Sequence, residues 1–275
     1  MKVTRKLPYD NTNRMSLGDL FPSGRVAAIA HRGGSRLRPE NTITAFDHAA
    51  SLGVDGFECD VHLSRDCVPV VIHDATLDRT TAASGSVTGR TAKELGAIDA
   101  GARFGETDGF PFRDSGHGVP KLADLLDRHP DIPIVVEIKG DDPKVVAPVV
   151  SVLRASRRPG RYVLGGFSQP VLDAIRRVAP ELPTGASRDE VKAAIRRSYL
   201  RIPPRRTGYS VFQVPFMFQG KQIFRGSFVR TVTRAGVPVQ AWIIDDEADM
   251  RRLIQWGVTG LISDRPDVAV RVVHS

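Results

Sequence analysis

Short apolar runs rich in β-branched residues recur along the chain, and stretches of helical period separate most of them, the pattern of parallel strands joined by helices. The strands it predicts are Val26 to Ala30, Gly56 to Val61, Pro69 to Ile72, Ile134 to Ile138, Tyr162 to Phe167, Pro183 to Ala186, Ser210 to Val214, Pro238 to Ile244 and Gly260 to Ser263. The helices it predicts include Asn41 to Leu52, Leu122 to Arg128, Pro143 to Ser156, Gln169 to Val178, Arg188 to Tyr199, Ser227 to Ala235 and Glu247 to Trp256. Eight strand–helix units close a barrel in about 250 residues, and the chain has 275. One strand is therefore surplus. Only Leu63 to Val68 precedes Pro69 to Ile72, whereas a parallel crossover needs about a dozen residues, so this strand is predicted to return as a hairpin. The expected fold class is α/β, a TIM (β/α)8 barrel.

Placing the hairpin turn around Arg65 and Asp66 sets His73 opposite roughly Glu58, near both Glu58 and Asp60. From Ala75 to Val119 the periodicity fades into glycine, threonine and aspartate, which predicts a small insertion over the site, following the hairpin. No repeat and no interdomain linker stands out. The expectation is one domain over residues 1–275, with its core at about 27–267 and the insertion at 75–119.

In a parallel barrel the carboxyl ends of the strands converge on one mouth, and here those ends are polar. The first strand ends in His31-Arg32-Gly33-Gly34, the second holds Glu58 and Asp60, the hairpin strand ends in His73-Asp74, and the next ends in Glu137-Ile138-Lys139. Ser168, Gln213, Trp242 with Asp245, and Asp264 follow further round. Glu58 and Asp60 lie two apart and so share a face, and Glu137 can join them from the neighbouring strand. Three carboxylates in one mouth call for a cation, and oxygen-only ligation favours Mg²⁺ or Ca²⁺ over zinc. The competing reading pairs one or two of them with Arg32, Arg36, Arg38 or Lys139. His31 and His73, flanking that cluster beside Arg32, read as an acid/base pair working on an anion. His48, His62, His117, His129 and His274 have no such setting and are expected to be structural or on the surface.

Composition narrows the class further. With 41% hydrophobic and 25% charged residues the chain is an ordinary globular protein rather than a disordered one. Its longest mostly apolar stretch, Val145 to Leu153, contains a proline and falls short of the ~20 residues that span a bilayer. The amino terminus carries Lys2, Arg5 and Lys6, but the polar run Asp10 to Arg14 sits where a signal peptide needs its apolar core, so a cytoplasmic protein is expected. Cys59 and Cys67 are too few for a disulfide framework and lack the spacing of a zinc or redox motif. The net charge of +8 favours anionic partners. The densest basic stretch, Arg188 to Arg206, has a local excess of five positive charges but only Tyr199 as an aromatic, so nucleic acid is not an expected partner. It reads as a solvated helix face, with a peripheral contact to an anionic membrane as the alternative.

The ordered motifs His31-Arg32-Gly33, Pro39-Glu40-Asn41-Thr42, Glu58-x-Asp60-Val61, His73-Asp74 with Leu77 and Arg79-Thr80-Thr81, and Glu137-Ile138-Lys139 resemble the glycerophosphodiester phosphodiesterase family. The resemblance spans about residues 27 to 267, through Phe167-Ser168, Trp242 and the closing Ser263-Asp264-Arg265-Pro266. It implies a barrel with an insertion, a divalent cation on Glu58, Asp60 and Glu137, and catalytic histidines at His31 and His73. It also implies that Arg32 and Lys139 hold the phosphate, with Gln213 and Trp242 lining the substrate site and Glu40 and Asn41 in support. The activity implied is metal-dependent hydrolysis of a small glycerophosphodiester to glycerol 3-phosphate and an alcohol.

Three departures matter. The hairpin turn reads Asp66-Cys67 where Asp-Gly is usual, putting a side chain at a left-handed position that suits glycine. Gln213-Val214-Pro215 is similar to members acting on lysophospholipids, which makes lysophospholipase D chemistry the rival reading, with Phe212, Phe216, Met217, Phe218 and Phe224 as its apolar contacts. Trp242-Ile243-Ile244-Asp245 stands where threonine and asparagine are usual. A non-catalytic phosphate-binding barrel is the alternative from another class, although no histidine or carboxylate of the motif set is missing.

Overall fold

A computed structural model describes residues 17–205 and 207–275. Lys2, Arg5, Lys6 and the run Asp10 to Arg14 lie outside them, as does Arg206 at the end of the basic stretch. In chain order the strands are β1 (Ala27–His31), β2 (Gly56–Leu63), β3 (Pro69–Val71), β4 (Ile134–Ile138), β5 (Tyr162–Gly165), β6 (Phe212–Pro215), β7 (Met217–Phe218), β8 (Lys221–Gln222), β9 (Val239–Trp242) and β10 (Gly260–Ser263). The helices are α1 (Ile43–Ser51), α2 (Ala92–Gly96), α3 (Leu122–Arg128), α4 (Val146–Ala155), α5 (Gln169–Val178), α6 (Arg188–Tyr199), α7 (Gly226–Arg234), α8 (Glu247–Trp256) and α9 (Pro266–Val273). None of these helices is long and apolar enough to cross a membrane.

The parallel strands run side by side in the order β5, β4, β2, β1, β10, β9, β6. Residues 183–186 close the ring, because Thr184 bridges Leu164 and Gly185 bridges Val211. The main chain shows the same closure: Gly185 N–H donates to the Leu164 carbonyl at 2.9 Å and Ala186 N–H to that of Val211 at 2.9 Å. The predicted strand Pro183 to Ala186 is thus the eighth stave of a TIM barrel, present as two isolated bridges rather than a ladder. Pro183 has no N–H to give to such a ladder.

Alternation along each strand divides the apolar residues between two layers. Ala27 and Ile29 of β1, Val135 of β4, Val163 of β5 and Ile262 of β10 fill the barrel, where Leu17, Leu20 and Phe21 join them. Their chain neighbours face outward, with Val136 and Leu164 under α4 and α5, and Phe212 and Leu261 under α7 to α9. The strands therefore read as continuous apolar runs, as expected for a sheet covered on both faces.

β3 returns antiparallel to β2, pairing Val61 with Val71 and Leu63 with Pro69. Cys67 sits in its turn at φ +58°, the left-handed conformation anticipated there, which a side chain occupies at a cost of about 1 kcal/mol. The register differs by one residue from the expected one, since its continuation sets position 73 opposite Cys59 rather than Glu58. Between β3 and α3 the chain builds a small core of its own, in which Leu77, Val87, Leu95 and Val119 pack on Val70 and Ile72. Thr91 caps α2 there in a reciprocal pair with Glu94.

The phenylalanines expected near the mouth separate into two groups. Phe212, Phe216 and Phe224 are core, stacked ring on ring with Phe228 and Trp256. Only Met217 and Phe218, each 47% exposed, stand out on the short β7–β8 hairpin. β6 alternates in and out of the wall, and beyond the β7–β8 hairpin Phe224 packs back on Phe216, on Phe228 of α7 and on Trp256 of α8.

Candidate active site

His31 is the last residue of β1, and the chain then turns sharply through Arg32 (φ +51°) and Gly33 (φ +80°). A Cβ on Gly33 would stand 2.7 Å from that of Ala45 in α1, so the turn presses on the helix only with glycine there. The turn delivers Arg32 N–H to the carbonyl of Glu58 at 2.9 Å and to its carboxylate at 3.1 Å. This ties the ends of β1 and β2 together.

Glu58 and Asp60 project from β2 into the barrel mouth, and Glu137 of β4 lies in register with Asp60. Carboxylate oxygens of the three come within 4.8 Å of one another. Glu58 is 5% exposed; burial, then the charges of Asp60 and Glu137, push its pKa up to about 8. Asp60 is also buried, but Lys139 and Arg32 outweigh that burial and hold its pKa low. Lys139 Nζ is 2.8 Å from Asp60 and also bonds Glu137, Arg32 Nε is 3.0 Å from Asp60, and the Asn41 amide donates to Asp60 at 2.9 Å. Pairing with Arg32 and Lys139 thus coexists with the acidic cluster. Of the other two arginines considered, Arg36 pairs with Asp245 and Arg38 donates to the Leu37 carbonyl. Three hard oxygen donors, one of them nearly sealed from water and so reluctant to ionise alone, suit a divalent cation.

The histidines stand on either side of this cluster. His31 Nδ1 is 2.5 Å from Asp264, and its Nε2 is 3.8 Å from Glu58. Burial lowers the basicity of this ring, but the charge of Glu58 and the bond to Asp264 outweigh it, so its pKa is raised. Asp264 is itself seated by Asp245, whose carboxylate accepts from the Asp264 N–H at 2.9 Å and the Ser263 hydroxyl at 3.0 Å. His73 lies two residues past the end of β3, and its Nδ1 is 2.5 Å from Asp74. Its carbonyl accepts from His62 at 3.1 Å. With Nδ1 engaged by a carboxylate in both cases, Nε2 is the nitrogen of each ring left for proton exchange.

One pocket is lined by His31, His73, Arg32, Lys139, Glu58, Asp60, Glu137, Gln213 and Trp242. Gln213 reaches into it because Gly165 and Gly185 flank it without side chains: a Cβ on either would stand 3.2 or 2.8 Å from its amide oxygen. Glu40 and Asn41 stand behind the lining, Glu40 on Arg32 at 3.0 Å and Asn41 on Asp60. Phe167 and Ile243, present in the sequence motifs but given no site role there, complete the mouth. Phe167 and Trp242 meet edge to face at 6.1 Å, and the Trp242–Ile243 peptide is cis. Asp264 was visible as a polar strand end and in the closing motif; its hold on His31 carried no local signal.

Fold and site together define a (β/α)8 barrel whose carboxyl-end mouth is equipped for cation-assisted acid–base chemistry on an anion. The chain belongs to the glycerophosphoryl diester phosphodiesterase family, whose sequence profile matches residues 31–268. It is 32% identical over 255 residues to the glycerophosphodiester phosphodiesterase of Caldanaerobacter subterraneus subsp. tengcongensis, covering 91% of this chain and 98% of that protein. To the glycerophosphodiester phosphodiesterase of Bacillus subtilis it is 29% identical over 270 residues, covering 94% and 89%. Among solved structures, an Oleispira antarctica phosphodiesterase in complex with the product sn-glycerol-3-phosphate superposes with a TM-score of 0.77 at 25% identity, covering 95% of this chain and all of that one.

Proposed function

We propose that this protein hydrolyses small glycerophosphodiesters to glycerol 3-phosphate and an alcohol, using a divalent cation held by Glu58, Asp60 and Glu137. The observation that carries the reading is the pairing of two carboxylate-tethered imidazoles, His31 with Asp264 and His73 with Asp74, on one pocket with that acidic cluster. The likeness to a phosphodiesterase solved with sn-glycerol-3-phosphate supports the product. Within this reading the whole chain is one barrel unit, its core near residues 27–267 carrying the site and residues 75–119 inserted on one side, and it works in the cytoplasm.

Arg32 and Lys139 present their cations to the phosphate oxygens, the arginine as a fork and the lysine as a point charge. Gln213 and Trp242 bound the space for the rest of the substrate. Each carboxylate at Nδ1 stabilises the imidazolium form and leaves Nε2 to exchange the proton. One histidine takes the proton from the attacking hydroxyl as the new phosphorus–oxygen bond forms; where that hydroxyl is the substrate's own glycerol hydroxyl, the cyclic phosphodiester it makes is opened by water in a second step to give glycerol 3-phosphate. The other gives a proton to the alcohol oxygen as the old bond breaks. When bound, a Mg²⁺ or Ca²⁺ ion supplies neutralisation of the three carboxylates and polarisation of a phosphate oxygen.

A second reading has its own observation. Phe167, Met217, Phe218 and Ile243 are exposed at the carboxyl ends of β5, β6 and β9, an apolar sector of the rim facing the charged sector of β1, β2 and β4. It fits a lysophospholipid, cleaved by the same groups, and allows contact with an anionic membrane. Glycerophosphocholine, glycerophosphoethanolamine, glycerophosphoinositol and lysophosphatidylcholine, each assayed with Mg²⁺, Ca²⁺ and chelator, decide between the readings. Cation-dependent turnover of the first three is expected. Turnover of lysophosphatidylcholine alone supports the second reading, and no turnover of any, with phosphate still bound, makes the protein a phosphate-binding barrel.

A further inference from the structure

His31 and His73 are held in different ways. His31 belongs to a strand, is buried, and meets an aspartate from the far end of the chain. His73 lies beyond the end of its strand with about a third of its side chain exposed, and its carboxylate partner is its own neighbour, Asp74. Two adjacent residues on one bend cannot aim each other unless something outside the bend holds one of them.

Arg79 does so. Its Nε and Nη2 donate to the two Asp74 oxygens at 2.6 and 3.2 Å, while Nη1 and Nη2 donate to the two Glu40 oxygens at 2.8 and 2.8 Å. Glu40 accepts in turn from Arg32 Nη1 at 3.0 Å, and Arg32 Nε is 3.0 Å from Asp60. A continuous chain of charged contacts thus runs from His73 through Asp74, Arg79, Glu40 and Arg32 to Asp60, crossing from the loop after β3 to the loop after β1. Arg79 itself rides on a fixed turn: Leu77 is fully buried, and its carbonyl accepts from the Thr81 N–H at 3.1 Å and the Thr81 hydroxyl at 2.8 Å. It does not line the pocket.

We propose that Arg79 is a positioning residue that aims the general acid/base His73 and the phosphate-binding Arg32 together, by gripping Asp74 and Glu40 with one guanidinium. The proposal rests on the functional reading above. Arg79 is half-exposed, and in its absence Glu40 keeps Arg32 and Asp74 keeps His73 as a partner, so these pairs add little to stability and their effect lies in geometry. Without the grip, Asp74 is free to swing and His73 loses its aim, while Glu40 is left to Arg32 alone and draws it from the pocket. Lysine cannot replace it, because a point charge does not present two bidentate edges.

The full chain is assayed as wild type, Arg79→Ala, Arg79→Lys, His73→Ala and the Arg79→Ala/His73→Ala double variant, on glycerophosphocholine with Mg²⁺. Arg79→Ala is expected to lower kcat by about 10- to 100-fold and raise KM several-fold with an unchanged melting temperature. Arg79→Lys should stay nearer to Arg79→Ala than to wild type, and added guanidinium at millimolar concentration should raise the kcat of Arg79→Ala. Because Arg79 acts on kcat through His73, the double variant should turn over no more slowly than His73→Ala. An Arg79→Ala enzyme within twofold of wild type in kcat and KM, or losses that multiply in the double variant, would overturn the proposal. If wild type turns over no glycerophosphodiester, the functional reading falls instead, and Arg79 is judged by calorimetry with inorganic phosphate. Affinity weakened at least about threefold in Arg79→Ala then supports the hold on Arg32, and equal affinities refute it.

Discussion

Replacing Glu58 with glutamine is expected to flatten the pH dependence of stability of the metal-free protein. Glu58 is closed off from water beside Asp60 and Glu137, and its pKa stands at about 8 against an ordinary 4.5. The folded protein therefore keeps a proton that the unfolded chain has released, so stability is full below the unfolded value and drains away as pH rises through the folded one. A displacement of this size corresponds to about 5 kcal/mol over the whole window, and to about 2 kcal/mol between pH 6 and pH 8. His31, also raised, adds a slope of the same sign, while His48, His62 and His129, lowered by burial, add slopes of the opposite sign, so the difference between wild type and variant carries the Glu58 contribution. Urea unfolding of chelator-treated wild type and Glu58→Gln at pH 6, 7 and 8 measures both slopes. Saturating Mg²⁺ or Ca²⁺ should oppose the wild-type slope, because a cation binds the ionised carboxylate. A variant with the wild-type slope would refute the burial argument and with it the case for a cation-seeking cluster.

Four further outcomes are expected. His31→Ala and His73→Ala should each lower kcat by about 10²-fold or more with the fold intact by circular dichroism, and the losses should not multiply, since both groups serve one step. Asp264→Asn should lower kcat by a similar factor with little change in KM, because an amide at His31 Nδ1 no longer stabilises the imidazolium form; steady-state kinetics separates the two constants. Phe216→Ala should cost about 3–5 kcal/mol in urea unfolding, whereas Phe218→Ser should stay within about 0.5 kcal/mol, in line with one ring being core and the other exposed. If the substrate is a lysophospholipid, Phe218→Ser with Met217→Ser should slow lysophosphatidylcholine turnover more than glycerophosphocholine turnover; equal effects would leave the hairpin without a role in selection.

The strand and helix pattern was legible because it is local. Continuous apolar runs mark strands covered on both faces, and the barrel follows from counting them against chain length. The surplus strand yielded its hairpin from six intervening residues alone. Glu58 and Asp60 shared a face by the two-residue period, and their approach to Glu137 followed once β2 and β4 were neighbours.

What needed the tertiary structure lies where that period stops applying. His73 stands past the last paired residue of β3, so no pleat dictates its direction; Asp74, and Arg79 behind it, set that direction. Asp264 reaches His31 only because β10 closes the ring against β1, a pairing of residues 233 apart in the chain. The eighth strand, between β5 and β6, is reduced to two bridges beside Pro183. Among the phenylalanines from 212 to 224, hydrophobicity was common to all. Only the turn of the chain after β6 decided which were buried under α7 and which met solvent on the β7–β8 hairpin, because burial depends on what packs against a residue from elsewhere in the chain.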